Sequence, residues 1–205
     1  MNAMPIFGTN FGWEYLEIDN PAIESFCYAE QEKSPAPHKA VGWQSGFIDF
    51  NVAVLKPLVD AINVKLDEIT CLYKIKKEHA PELTNAWINI NKPTGVVLGN
   101  NVPHLHPGKF ASFVYYVRAE EKCGTLTLVS PMHDMMEFAI PHQVYEKRDE
   151  HNSTTWIVTP KAGTLVTFPA WVRHQANPNH SNTDRISIAF NAELKGLQTI
   201  LNPKE

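Results

Sequence analysis

The residues best suited to chemistry are two histidines that stand two positions apart, His104 and His106, in the segment HLHP. On an extended strand, residues i and i+2 point to the same face, so both imidazoles can reach one metal ion. A third histidine, His174, is expected in the turn that follows a strand-like segment, which begins at Gly163 and ends in a Phe-Pro pair. Because neutral imidazole is a common ligand of iron and other transition metals, this spacing predicts a metal site formed by the three histidines.

A second chemical feature is the segment RISIAFN, residues 185–191. Alternation places its isoleucines and phenylalanine on one face and Arg185, Ser187 and Asn191 on the other. If the apolar face packs into the core, the polar face must line a cavity. A buried guanidinium needs a partner, and its planar fork fits a carboxylate through two parallel hydrogen bonds. Arg185 with Ser187 is therefore suited to anchoring a carboxylic acid, and a structural salt bridge to one of the 22 acidic residues is the alternative.

The elements that must position these side chains are short β-like runs separated by Gly, Pro and Asn. They are WININ from Trp87, ASFVYYV from Ala111, TLTLV from Thr125, TWIVT from Thr155, TLVTF from Thr164 and RISIAF from Arg185. Several short strands with turn signals between them indicate a sandwich or a barrel. The mouth of a jelly roll can hold a metal and a small ligand. We therefore expect a mainly β fold with flanking helices, a cupin-like double-stranded β-helix (jelly roll).

The rest of the chain predicts supporting structure. Residues 52–75 carry apolar side chains at three- and four-residue spacing, which indicates a scaffold helix that starts or kinks near Pro57. Residues 30–39 are polar with two prolines and predict a loop after a variable N-terminal stretch. Residues 132–152 break the strand rhythm and predict either a lid or binding loop, or a disordered surface insertion.

Length and composition indicate one globular domain. The 205 residues are 43% hydrophobic and 20% charged, which suffices for a core. We expect a single domain over residues 1–205, with residues 1–80 as an N-terminal extension with a supporting helix and residues 85–195 as the jelly-roll catalytic core. A net charge of −4 without basic runs makes nucleic acid an unlikely partner, and no apolar run suggests a membrane span. Three widely spaced cysteines predict reduced thiols and a cytoplasmic location, and an oligomer is possible.

The order of these motifs resembles that of small 2-oxoglutarate/Fe(II)-dependent oxygenases related to prolyl hydroxylases. The resemblance consists of H-x-H-P, a strand ending in YYV, G-T-L, then G-T-L-V-x-F-P-x-W-x-x-H and R-x-S-I-A-F-N, from about Trp87 to Asn191. It implies a non-haem dioxygenase whose cofactors are Fe(II) and 2-oxoglutarate. Such an enzyme consumes 2-oxoglutarate and dioxygen and hydroxylates a primary substrate, which the sequence does not identify.

The resemblance also implies roles for individual residues. His104 and His174 correspond to metal ligands, and Arg185 and Ser187 to the residues that bind the distal carboxylate of 2-oxoglutarate. Two asparagines that alternate on the strand before the H-x-H motif correspond to further cosubstrate contacts, Asn89 and Asn91. On the strand ASFVYYV, Tyr116 is a weaker candidate and is better interpreted as an ordinary core or surface tyrosine. No catalytic residue beyond the metal ligands is predicted.

One departure from the wider superfamily concerns His106, which stands where most members have Asp. Either the site is formed by three histidines, or a carboxylate reaches it from elsewhere, with Asp134 and Glu137 as the nearest candidates. A neutral ligand leaves more positive charge at the metal, so the spacing alone does not exclude nickel, zinc or manganese. Two alternatives stay open: a cupin-like three-His dioxygenase or isomerase that does not use 2-oxoglutarate, and a non-catalytic jelly-roll binding protein.

Overall fold

Two antiparallel sheets and three α-helices make up most of the computed structural model, which describes residues 8–35, 42–93, 103–149 and 151–196. The strands are β1 (Gly12–Tyr15), β2 (Gly42–Gln44), β3 (Pro81–Asn91), β4 (Ala111–Arg118), β5 (Leu126–Val129), β6 (Thr155–Val158), β7 (Thr164–Pro169), β8 (Arg173–Ala176) and β9 (Arg185–Leu194). The helices are α1 (Asn20–Lys33), α2 (Lys56–Leu72) and α3 (His133–Ala139), with short 3-10 turns at Ala53–Leu55, Lys77–His79 and His142–Val144.

The larger sheet has the strand order β1-β7-β4-β9-β3-β2, and the smaller sheet has the order β6-β5-β8. Every pairing between these strands is antiparallel. His104 adds an isolated antiparallel bridge to His174 of β8, so the segment that carries the H-x-H motif extends the smaller sheet. This mainly β arrangement with helices at the side agrees with the predicted fold class.

Strand β9 lies in the middle of the larger sheet and separates the helices from the inside of the roll. Its apolar side chains Ile186, Ile188 and Phe190 are fully buried in the core that also contains the buried face of α2. That face repeats every fourth residue, at Leu58, Ile62 and Leu66. The helix predicted within residues 52–75 is therefore present, and Pro57 lies in its first turn, where a missing N–H is tolerated. Burial of each such side chain contributes about 1.5–3 kcal/mol.

A second apolar cluster fills the space between the two sheets. Its members come from β4, β5, β7 and the turn before β8: Tyr116, Leu126, Leu128, Val166, Phe168 and Val172. The polar face of β9 points into the same interior, because alternate residues of a strand point to opposite sides. Strand β9 therefore joins the scaffold on one face and the inside of the roll on the other.

The N-terminal region contains more regular structure than the sequence pattern indicated. Helix α1 begins after Asp19, whose side chain accepts a hydrogen bond from the backbone N–H of Ala22 (3.0 Å), and it ends at Lys33. The loop predicted over residues 30–39 is therefore wrong for its first four residues, which are helical, and residues 36–39 lie outside the described ranges. Strands β1 and β2 also pair with β7 and β3, so this region supplies two strands of the larger sheet as well as the supporting helix.

The segment after β5 is partly helical. Helix α3 occupies part of the region predicted as a lid or an insertion, and its Glu137 forms an ion pair with Arg148 (2.8 Å) and accepts a hydrogen bond from Thr154 (2.5 Å). Within the described ranges, no helix has the length and apolar character needed to cross a membrane.

Candidate metal centre

The three predicted histidine ligands converge at one end of the smaller sheet. One ring nitrogen from each of His104, His106 and His174 lies within 4.8 Å of the others, which is a spacing that a single metal ion can bridge. The backbone N–H groups of His104 and His174 each donate to the carbonyl of the other (3.0 and 2.9 Å), and the N–H of His106 donates to the carbonyl of Ala170 (2.9 Å). His174 lies in β8, whereas the sequence pattern placed it in a turn.

His174 is held in one tautomer by the turn that precedes its strand. Its Nδ1–H donates to the carbonyl of Val172 (2.9 Å), which leaves Nε2 free of a proton when the ring is neutral. The pKa of His174 is lowered to about 4, chiefly by burial; the bond to Val172 raises it, and the neighbouring His104 lowers it. The ring is therefore neutral near pH 7, which is the form that binds a metal ion.

His106 is positioned by contacts on two sides. Its Nδ1 lies 2.8 Å from Nδ2 of Asn191, and its Nε2 lies 3.3 Å from Nε2 of His174. The indole of Trp87 stacks on the imidazole with ring centroids 5.6 Å apart and an interplanar angle of 18°. Asn191 is held in turn by the hydroxyl of Ser112, which donates to its Oδ1 (2.9 Å).

The described residues bring no carboxylate into this group. The cluster with metal-ligand spacing contains only imidazoles, so neither Asp134 nor Glu137 belongs to it. Glu137 is occupied by Arg148 and Thr154 instead. Of the two sequence-based alternatives, the structure forms the three-histidine arrangement. Among the described residues, no carboxylate of α3 joins the three imidazoles.

Arg185 is buried in the same interior, with 3% of its surface exposed. Its Nη1 donates to the carbonyls of Cys123 (2.8 Å) and Asn177 (2.9 Å), and its Nη2 donates to Oδ1 of Asn91 (3.1 Å). These bonds use three of the five N–H groups of a guanidinium. Burial lowers the pKa of Arg185, and the nearby Tyr116 and Cys123 oppose this effect.

No salt bridge joins Arg185 to an acidic side chain in the part of the chain that the structure describes. The alternative of a structural ion pair is therefore not what these residues form. A buried positive charge without an opposite charge is costly, because neutral carbonyl and amide oxygens compensate only part of the lost hydration. Arg185 is thus prepared for an anionic ligand.

One cavity of about 480 Å³ connects the histidines with Arg185. Strand β9 sets its length, because Asn191 contacts His106 at one end and Arg185 lies six residues away at the other. The predicted cosubstrate contacts share this cavity, since Asn89 and Asn91 of β3 stand directly opposite Ser187 and Arg185 in the strand register. The structure therefore gathers all seven predicted site residues around one space: His104, His106, His174, Arg185, Ser187, Asn89 and Asn91.

Tyr116 is a further polar residue of the cavity. It stands opposite Ser187 in the pairing of β4 with β9, is 3% exposed and belongs to the core between the sheets, as the interpretation of a core tyrosine suggested. It also lines the cavity, which that interpretation missed. Burial raises the pKa of Tyr116 to about 12, and the positive charge of Arg185 opposes the rise. The phenol therefore keeps its proton near pH 7 and can donate a hydrogen bond.

Gly124 is a residue whose importance the sequence pattern did not show. Its φ is +88°, a conformation that L side chains rarely adopt. A Cβ atom there would lie 2.3 Å from the carbonyl of Pro178, 2.5 Å from that of Asn177 and 2.7 Å from Nη1 of Arg185. Glycine is therefore required where the loop before β5 packs against the guanidinium.

Comparison with solved structures places this fold among jelly-roll oxygenases. The viral collagen prolyl hydroxylase of Paramecium Bursaria Chlorella virus-1, solved with 2-oxoglutarate, has a TM-score of 0.59 at 14% identity and covers 89% of this chain and 94% of its own. A prolyl-4-hydroxylase of Pseudomonas putida has a TM-score of 0.59 at 14% identity, covering 90% and 92%. The carbocyclase SnoK of nogalamycin biosynthesis has a TM-score of 0.61 at 12% identity, covering 96% and 87%.

At these identities the structural likeness supports the fold, and the predicted jelly roll is confirmed. No curated protein matches the sequence. A family model described as "Putative 2OG-Fe(II) oxygenase" matches residues 85–191, about half of the chain, and the protein belongs to this family. It is a 2-oxoglutarate-dependent oxygenase, an oxidoreductase whose cofactors are Fe(II) and 2-oxoglutarate and whose second cosubstrate is dioxygen.

Proposed function

We propose that the protein hydroxylates a small or peptidic substrate, with Fe(II) held by His104, His106 and His174 and 2-oxoglutarate held by Arg185. The observation that carries the proposal is the buried guanidinium without an acidic partner among the described residues, in the same cavity as three convergent imidazoles. In the overall reaction, one oxygen atom of dioxygen enters the product alcohol and the other enters succinate, while the cosubstrate loses carbon dioxide.

The donor set fits a transition-metal ion such as iron. Three neutral imidazoles offer nitrogen ligands without cancelling the charge of a divalent ion, so the site keeps more positive charge than a site with two histidines and a carboxylate. That charge favours an anionic cosubstrate. Bound iron supplies the activation of dioxygen, and the protein supplies positioning and shelter from side reactions.

The far end of the cavity fits the distal carboxylate of the cosubstrate. Arg185 has two N–H groups left after its bonds to Cys123, Asn177 and Asn91. Charge-assisted bonds of this kind contribute about 1.5–3 kcal/mol each. The hydroxyl of Ser187, on the same face of β9, and the protonated phenol of Tyr116 provide further donors for the same group.

The primary substrate is proposed to approach along the rim formed by Phe47, Trp87 and Leu105. Phe47 is 76% exposed and Leu105 is 41% exposed, and both line the cavity beside the histidines. The nearby Lys109 is neutralised by an ion pair with Glu193. We propose that the part of the substrate that contacts this rim is uncharged and largely apolar, because the rim residues Phe47, Trp87 and Leu105 carry no charge and the adjacent Lys109 is already paired.

Anaerobic titration tests the proposed function. Protein purified without a histidine tag is loaded with Fe(II) and titrated with 2-oxoglutarate, and we expect a visible charge-transfer band that neither component produces alone. Admission of dioxygen should then convert 2-oxoglutarate to succinate. Bound iron without the band and without cosubstrate consumption would favour a cupin-like three-histidine enzyme, and failure to bind any transition metal would favour a non-catalytic jelly-roll protein.

The substitution Gly124→Ala is expected to weaken 2-oxoglutarate binding about 10- to 100-fold, because the added methyl group displaces Arg185 and the loss of one charge-assisted bond costs about 1.5–3 kcal/mol. The positive φ adds strain of about 1–3 kcal/mol, so Tm should fall by several degrees. Anaerobic titration and calorimetry measure the two effects. Gly8→Ala is the matched control, since its added Cβ meets nothing within 4 Å. Wild-type cosubstrate affinity in Gly124→Ala would contradict the packing argument.

A further inference from the structure

We infer that Asn191 and Ser112 form a two-state hydrogen-bond pair that decides which ring nitrogen of His106 binds the metal. Asn191 is then a positioning residue for the ligand that replaces the usual aspartate. The inference rests on the proposed function only in taking His106 as a metal ligand.

The contacts in the structure describe the first state. Asn191 Nδ2 donates to His106 Nδ1 (2.8 Å), and a neutral imidazole that accepts at Nδ1 carries its proton at Nε2. That Nε2–H faces Nε2 of His174 at 3.3 Å, which is unprotonated because Nδ1–H of His174 donates to the carbonyl of Val172. The chain of donors is consistent, and in this state Nε2 of His106 holds a proton where a metal ion would bind.

Metal binding through Nε2 requires the opposite tautomer, with the proton on Nδ1 and an acceptor facing it. A half-turn of the Asn191 side-chain amide exchanges Nδ2 for Oδ1 at this position and supplies that acceptor. The amide nitrogen then points to Ser112, whose hydroxyl changes from donor to acceptor, as a hydroxyl group can. Every polar group keeps a partner in both states.

The surroundings favour adjustment by the amide and hydroxyl alone. Asn191 and Ser112 are each 3% exposed and stand opposite each other in the register of β9 and β4, so the sheet holds their backbones in place. Trp87 stacks on the ring of His106 and holds its plane. An orphaned buried amide or imidazole would be destabilising, and both states avoid it.

The test compares three variants by metal affinity and by the tautomer of His106. We expect Asn191→Leu to weaken Fe(II) binding about 10- to 100-fold, as loss of a hydrogen-bond partner to a metal-bound histidine does. Asn191→Asp should restore or exceed wild-type affinity, because a carboxylate oxygen accepts from Nδ1–H without any half-turn. Ser112→Ala should give a smaller loss than Asn191→Leu, because only the support of the amide is removed.

Nitrogen-15 NMR of the wild-type imidazole provides the second readout. We expect the proton of His106 on Nε2 in the metal-free protein and on Nδ1 in the protein loaded with diamagnetic Zn(II). A purely structural role would lower the Tm of the variants without this ordering of affinities and without a change of tautomer. The inference is overturned if His106 carries its proton on Nδ1 before metal is added, or if Asn191→Asp binds metal as weakly as Asn191→Leu.

These readouts separate the inference from the proposed function. Metal affinity and tautomer are measured without 2-oxoglutarate and without turnover, so an intact tautomer change in a protein that consumes no cosubstrate would leave the inference standing while the proposed function fails. Normal turnover with an unchanged tautomer would support the proposed function and overturn the inference.

Discussion

Replacing Arg185 with alanine is expected to raise the Kd for 2-oxoglutarate about 100-fold or more, while the affinity for Fe(II) stays within about twofold. The reason is that the substitution removes two free charge-assisted donors, each worth about 1.5–3 kcal/mol, from the far end of the cavity. The histidines are untouched, because none of the described bonds of Arg185 reaches them. Anaerobic titration followed by the charge-transfer band measures both constants.

Two further variants sharpen this test. Arg185→Lys keeps the positive charge but loses the planar fork, so its cosubstrate affinity should fall between those of the wild type and Arg185→Ala. Arg118→Ala is the matched control, because Arg118 also lies at the end of an inner strand but pairs with Glu24 away from the cavity. Equal cosubstrate affinity in Arg185→Ala and the wild type would remove Arg185 from the cosubstrate site.

The second large effect is expected for His174→Ala, which should lose stoichiometric iron and reduce turnover by about three orders of magnitude or more. His174 is the most deeply buried of the three imidazoles, and the carbonyl of Val172 already fixes its tautomer, so no other described side chain replaces its nitrogen. Metal analysis of tag-free protein and succinate release measure the two losses.

His180→Ala is the control for this experiment. His180 lies in the loop that follows β8, is exposed and does not belong to the imidazole cluster, so its replacement should leave iron content and turnover unchanged. If His174→Ala keeps one iron per chain and normal succinate release, the three-histidine site is the wrong assignment.

The parts of the site that the sequence predicted are those with a local pattern. The alternation in residues 185–191 fixes the two faces of β9 wherever that strand lies in the sheet, because a period of two is a property of the extended backbone. The H-x-H motif is predictive for the same reason, because its two rings lie on the same face of an extended segment whichever strand pairs with that segment. The strand predictions from Trp87, Ala111 and Thr164 rest on similar local runs, and all three correspond to strands of the larger sheet.

The parts that the sequence did not predict depend on distant partners. Strand β8 (RHQA) has no apolar alternation and becomes a strand by pairing with β5 and with His104. Helix α1 buries only Ile23 and Cys27 fully, which leaves a weak amphipathic pattern. The need for glycine at position 124 arises because residues about 55 and 60 positions later pack against it, and no local rule contains that information.

The two faces of β9 also affect how such an enzyme can diversify. A deletion of one residue within the strand would exchange the faces, turning isoleucines toward the iron and the arginine toward the helices, so it would abolish both folding and catalysis. The exposed Phe47 and Leu105 lie on other segments and carry none of the core, so they can vary with little loss of stability. New substrate preferences would therefore be acquired most easily at that rim, while the strand that serves the cosubstrate stays the same.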